Sequence, residues 1–254
     1  MYTFDSRVRY SEVDEAGYLR VNALLDYFQD CTNFHSEDLG VGLKWHKEHG
    51  LMWVLNAWQV CILRYPAMGE RITVGTQAYG FEKMFGYRNF LMTDGEGERI
   101  AIANSVWVLM DLHKNRPITV SEEVGSIYGK AEPLDMDYAP RKIKVAGVKE
   151  DKKDFFVQGY HLDTNHHVNN SQYVTMAMEY LPDNFLVREL RVEYKKQAVA
   201  GDRICPVVYL PEDADSGNCF SVALNDEHGK AYAVVQFYRK ETEESENAPD
   251  WRQA

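Results

Sequence analysis

Thirteen residues, HLDTNHHVNNSQY from His161 to Tyr173, carry one Asp, three His and three Asn. They fall where an aromatic, extended run (DFFVQGY) hands over to a helix-like run (VTMAMEYL). Histidine takes up a proton near neutral pH. Aspartate orients a histidine or helps deprotonate a water, and the asparagine amide holds a water or a carbonyl. A helix amino terminus adds free N–H groups and a positive dipole end, where an oxyanion is stabilised. Together these groups suit attack of water on an acyl carbon. Asp and Asn also cap helices and make turns for structural reasons, so each residue taken singly reads first as a cap.

The chain contains its own control. Near the start, RVRYSEVDEAGYLRVNALLDYFQD has the same plan: an extended run, a polar turn with Asp14 and Gly17, then a helix. Leu24, Leu25, Tyr27 and Phe28 give that helix its apolar stripe. Asp163 takes the place of Asp14, while Ala16 stands opposite Asn165 and Tyr18 opposite His167. A turn that needed the whole polar set would show it in both copies. One copy has it, which predicts one active site per chain.

The repeat extends further. RYPAMGERITV (Arg64 to Val74) resembles KQAVAGDRICP (Lys196 to Pro206). GYRNFLMTDGEGERIAIANSVWVLMD matches CFSVALNDEHGKAYAVVQFYRK as two alternating apolar runs about a tight turn, the pattern of an antiparallel hairpin. The order strand, helix, long strands occurs twice. A helix must lie on the apolar face of its sheet, and two such units can join their sheets edge to edge. The reading is therefore α+β: a first unit over 1–127, a linker over 128–154, a second unit over 155–240 and an acidic tail over 241–254 expected to be disordered. The linker is expected to cross the molecule, with a strand at RKIKVAG.

Composition narrows the function. The 254 residues are 45% hydrophobic with net charge −11, enough for a large core and against a general nucleic-acid binder. No apolar run approaches the roughly 18–20 residues of a membrane span. MYTFDSRVRYSEVDEAG lacks a signal-peptide core, so a cytoplasmic enzyme is expected. Cys31, Cys61, Cys205 and Cys219 form no CxxC and no zinc spacing with histidine, so they read as buried thiols and no metal is expected.

At the polar cluster the chain resembles the acyl-acyl carrier protein thioesterases of plant plastids and bacteria. LDTNHHVNN (Leu162 to Asn170) matches their L-D-x-N-x-H-V-N-N pattern at every fixed position. RYPAMGE, NSVWVLMDLHKNRPITV and LRVEYKKQA resemble further family stretches, with Asn115 in place of an Arg. The resemblance implies two fused hot-dog units, each a long helix wrapped in a curved antiparallel sheet. It implies hydrolysis of the thioester joining a fatty acyl chain to the carrier's phosphopantetheine arm, with no other cofactor. It carries over Asp163, Asn165 and His167 as catalytic residues.

One departure matters. Some members continue the E-Y-[RK]-[RK] strand with Glu-Cys, the Cys being cast as a nucleophile. Here Gln197 and Ala198 stand there, and Cys205 lies past the next turn. Water attack is then the expected chemistry, with either His167 or Asp163 activating the water. Backbone N–H groups of His167 and Val168 are expected to polarise the thioester oxygen. Asn169 and Asn170 read as turn-holding, Glu179 as solvated or supporting, and His166 as exposed. The acyl chain is expected between helix and sheet of the first unit, against Leu24, Phe28, Trp53, Trp58, Met84 and Phe85. An acidic carrier needs a basic surface, either Arg141, Lys142, Lys144, Lys149, Lys152 and Lys153, or Lys195 and Lys196. The same fold also supports a coenzyme A thioesterase, a dehydratase or hydratase, or a silent acyl-binding module, as a monomer or homodimer.

Overall fold

A computed structural model describes residues 1–183, 185–210 and 218–239. The first unit runs β1 (Tyr2–Arg7), α1 (Val21–Asp38), α2 (Leu43–His49), β2 (Leu51–Ile62), β3 (Arg71–Glu82), β4 (Phe85–Asp94), β5 (Arg99–Asp111), β6 (Arg116–Pro117) and α3 (Glu122–Tyr128). The second runs β7 (Val148–Asp151), β8 (Phe155–Phe156), α4 (Asn170–Met178), β9 (Val187–Tyr194), β10 (Arg203–Leu210), β11 (Cys219–Asn225) and β12 (Ala231–Arg239). The strands order as β1-β3-β4-β5-β2-β9-β12-β11-β10-β7. The units join edge to edge where β2 pairs antiparallel with β9, Val60 opposite Leu190. Pairing the two edges removes the open N–H and C=O rows each unit would otherwise expose.

Both main helices lie on one face of this continuous sheet. α1 packs on β3, α4 on β11 and β12, and the two helices touch. The apolar stripe expected of α1 is real: Leu24, Leu25, Tyr27 and Phe28 are all buried. Phe28 meets Phe90 of β4 and Trp58 of β2 at ring-centroid distances of 5.1 and 6.1 Å. Each such buried aromatic contributes roughly 2–3 kcal/mol. α4 is shorter than its counterpart, nine residues against eighteen. Turns at Tyr180 and Leu181 close it, and Pro182 follows, which cannot donate the next helical bond.

The connector between the units crosses the opposite face of the sheet. Ala131 N–H donates to Ala78 O in β3. Asn89, wholly buried in β4, accepts from Leu134 N–H at 3.0 Å and from the Tyr138 hydroxyl at 3.1 Å. Gln59 of β2 donates to Asp137 O and accepts from Ala139 N–H. Glu193 of β9 accepts from Ile143 N–H at 3.0 Å, and Ile143 packs on Ala223 and Val234. The strand expected at RKIKVAG forms just after it, as β7, which pairs with β10. Ile143 instead spends its amide on Glu193, a side chain, so no strand ladder forms there. The acidic tail lies outside the described residues.

Candidate active site

The polar segment opens with a short 3₁₀ turn over Gly159–His161. His161 is buried, its Nδ1 accepts the Gln158 amide at 3.0 Å, and burial pushes its pKa down. It is a structural histidine that props the turn. Asp163 N–H then donates to His167 O at 2.7 Å, and His166 N–H to Asp163 O at 3.1 Å. The Asp163 carboxylate folds back: Oδ1 accepts from the amides of Asn165 at 2.8 Å and His167 at 3.2 Å. His166 therefore sits at φ +61°, a conformation that costs an L-residue roughly 1–2 kcal/mol. Thr164, Asn165 and His166 are exposed, and His167 is half-buried.

The first unit builds the same turn without the Asn and His. Asp14 Oδ1 accepts from Ala16 N–H at 3.0 Å and Tyr18 N–H at 2.9 Å, and Asp14 N–H donates to Tyr18 O at 2.8 Å. Gly17, at φ +82°, stands where His166 does. An aspartate is thus what the turn itself requires in both copies. Asn165 and His167 are what the second copy adds.

Two contacts with the loop after β9 hold this turn in place. Val168 N–H donates to Ala198 O at 2.9 Å, and Ala198 N–H donates to the Tyr173 hydroxyl at 2.9 Å. In the first unit Leu19 N–H donates to Pro66 O at 2.9 Å, the matching bond. The Tyr194 hydroxyl donates to Asn170 O at 2.9 Å. Tyr173 and Tyr194 anchor the turn without sequence reasoning having singled them out, and Ala198, noted there only for the missing Cys, is a third anchor. The signal was the strand LRVEYKKQA, whose Tyr and terminal Ala turn out to be these anchors.

The expected oxyanion donors do not hold. His167 N–H is given to Asp163 Oδ1 and Val168 N–H to Ala198 O. α4 begins only at Asn170, so neither residue lies in its first turn. Asn169 is the helix cap, its Oδ1 accepting from Ser171 N–H at 3.0 Å. Glu179 closes α4 at the far end and is exposed. Nine residues of helix, about 13 Å, separate it from the turn, so it supports no chemistry there.

The expected chain-lining residues divide. Leu24, Phe28 and Trp58 are buried between α1 and the sheet. Trp53 lies on the same inner face, its ring 6.3 Å from that of Tyr128. Met84 sits in the turn between β3 and β4, its carbonyl accepting Leu109 N–H. Phe85 faces the other way, with the Arg141 guanidinium 4.8 Å from its ring centroid. Strand side chains alternate: Phe90 points to α1, so Asn89, Tyr87 and Phe85 point to the connector. Among the described residues, no group of three or more His, Cys, Asp or Glu side chains could hold a metal ion.

Two sheet-and-helix units fused edge to edge, with one elaborated turn before the second helix, define a double hot-dog protein with a single polar centre. The chain belongs to the acyl-ACP thioesterase family: the family's N-terminal domain model matches residues 1–128 and its C-terminal domain model residues 144–240. A crystal structure of an acyl-ACP thioesterase from Bacteroides thetaiotaomicron superposes with a TM-score of 0.83 at 24% identity, covering 93% of this chain and 96% of that one. The 12:0-ACP thioesterase from Umbellularia californica gives 0.77 at 21%, covering 94% and 97%. The chloroplastic palmitoyl-acyl carrier protein thioesterase of Gossypium hirsutum is 26% identical over 242 residues, 87% of this chain and 58% of that protein. The chain spans about half the length of the curated relatives it matches.

Proposed function

We propose that the protein hydrolyses the thioester of fatty acyl-acyl carrier protein and releases the free fatty acid. The observation that carries this is the pair of turns: both have the aspartate cap, and one alone adds Asn165 and His167. Asp163 Oδ1 is committed to two amides, which favours His167 as the base. His167 takes a proton from water as the water oxygen attacks the thioester carbon. The Asn165 amide donates to the developing oxyanion in place of the committed backbone groups. Collapse of the tetrahedral centre breaks the C–S bond. The proton on His167 passes to the leaving phosphopantetheine thiolate, and the carboxylic acid departs.

The acyl chain lies between α1 and the first unit's sheet, parting Leu24, Phe28 and Trp58, with Trp53 further along. Carrier binding falls on Lys195 and Lys196. They are exposed and stand just before Gln197 and Ala198, in the loop after β9 that grips the turn. Lys195 is shared with Glu193 and Lys196 with Asp226, which fixes both heads at the surface. In the rival cluster, Arg141 is drawn against Phe85 and Lys152 against Glu150.

The test is turnover of matched acyl-carrier and acyl-coenzyme A series, read as free thiol and free fatty acid. Carrier thioesters are expected to be cleaved faster, and His167→Ala to abolish cleavage. Lys195→Glu with Lys196→Glu is expected to raise KM for the carrier substrate well above any effect on a small thioester. Faster turnover of every coenzyme A ester would instead make this a coenzyme A thioesterase.

A further inference from the structure

Arg88 of β4 is only 6% exposed and lies on the inner face of the first unit. Its Nη1 hydrogen-bonds His35 Nδ1 of α1 at 3.1 Å and the Thr76 hydroxyl of β3 at 3.1 Å. Its guanidinium lies 5.5 Å from the ring centroid of Tyr128, the last residue of α3. Both hydrogen-bond partners are neutral, since burial and the Arg88 charge hold His35 down at about 4. Among the described residues no carboxylate pairs with Arg88. The Tyr128 hydroxyl is also buried, beside the Ser36 and Trp53 side chains.

A buried cation without a counter-charge is costly. The guanidinium and the Tyr128 ring form one wall, and Arg88 has N–H groups beyond the one nitrogen that His35 and Thr76 engage. The wall adjoins Trp53, which stacks edge-on against Tyr128. α1 gives its distance from the chemistry. Asp26 meets Ser171 at the start of α4, and His35 lies nine residues, about 13 Å, further along the helix.

We propose that Arg88, set against the Tyr128 ring, forms a polar end-wall of the acyl site that recognises a hydrogen-bond-accepting oxygen on the distal part of the acyl chain. This rests on the hydrolase reading above and deepens it: the preferred substrate class is oxygenated acyl thioesters rather than plain alkanoyl ones. A methyl end against this wall leaves the spare Arg88 donors unanswered, whereas an oxygen satisfies them. Sites that hydrogen-bond a substrate oxygen discriminate strongly against the analogue that lacks it.

The experiment compares carrier thioesters of one chain length whose distal end is plain, hydroxylated, oxo or carboxylate. The protein is expected to favour one or more of the oxygenated forms in kcat/KM by at least about tenfold, the four arms showing which oxygen fits. Arg88→Met is expected to collapse that ratio and raise turnover of the plain chain. Arg88→Gln, which keeps a donor and guards against misfolding of the first variant, is expected to retain part of it. Equal handling of all four by the unaltered protein, or a ratio unmoved in both variants, overturns the proposal. Binding of the matching free acids, followed by tryptophan fluorescence, decides it independently of turnover. Tighter binding of an oxygenated acid that Arg88→Met removes supports the end-wall even if no thioester is cut, an outcome that would sink only the hydrolase reading. Equal binding sinks the end-wall alone.

Discussion

Asp14 and Asp163, one in each unit, cap the same turn through the same oxygen, each accepting two amides from residues two and four further on. Shared geometry of this kind separates what folds the turn from what the turn does. Asp14→Ala is expected to lower stability by about 1 kcal/mol and leave kcat within about twofold. Asn165→Ala and His167→Ala are expected to cut kcat by about a hundredfold or more while stability stays within about 0.5 kcal/mol, because Asn165 is exposed, His167 is only half-buried, and the bonds that hold the turn use the Asp163 side chain and the backbone. Asp163→Ala should lose both. Asp163→Asn keeps an accepting oxygen and should retain stability. Urea unfolding alongside single-substrate kinetics checks all of these, and undiminished turnover in both the Asn165 and His167 variants would remove the assignment.

Thiol chemistry gives a second check. Burial pushes every cysteine away from its reactive form: Cys31 to about 12, Cys61 to about 11, and Cys205 and Cys219 also upward. The thiolate is the nucleophile, so none of the four is poised at neutral pH. The family position that carries Cys elsewhere is the buried Ala198. Iodoacetamide at neutral pH is expected to leave the rate unchanged and to trap no acyl-enzyme. A rate lost in proportion to alkylation would restore a covalent route.

His35 sets an acid limit on the first unit. Burial first, then the nearby Arg88 and the chain's amino terminus, push it from its ordinary 6.5 to about 4, against a smaller upward pull from Asp38. Tyr2 stacks on it and Tyr128 meets it edge-on. The folded protein therefore binds its proton less readily than the unfolded chain. Between about 6.5 and 4 the unfolded state carries more protons, so stability falls as pH falls through that window. Urea midpoints measured from pH 7 to pH 4 should drop, and His35→Gln should flatten the slope over the same range. An unchanged slope would place the titration elsewhere.

Asn89 pins the connector. Its amide donates to Ala103 O at 3.2 Å, and its oxygen takes both Leu134 N–H and the Tyr138 hydroxyl. Asn89→Ala leaves buried donors without an acceptor, at about 1–3 kcal/mol. Limited proteolysis should then cut between residues 129 and 147 sooner than in the unaltered protein. Cleavage at an unchanged rate would mean that Gln59 and Glu193 hold the connector without it.

Much of this molecule was legible in its residues. The doubled order of strand, helix and strands follows from hydrophobic period and turn chemistry, which are local properties. The correspondences Asp14 with Asp163, Ala16 with Asn165 and Tyr18 with His167 needed only the aligned repeat, and the backbone bonds reproduce them. The helix cap at Asn169 was legible for the same reason, since a cap acts over two or three residues.

What the tertiary structure decided depends on partners far away in sequence. His167 and Val168 could be oxyanion donors only if their amides were free, and Val168 gives its amide to Ala198, in the loop after β9 thirty residues further on. Phe85 falls on the connector side because strand faces alternate residue by residue, and where the alternation starts is fixed by pairing and by bulges such as that between Ala78 and Gly80. The lone charge of Arg88 is likewise invisible in the sequence, where no local rule says which arginine will be enclosed without a carboxylate. Short-range periodicity writes the elements and the turn; which donors remain unspent is settled only when distant backbones meet.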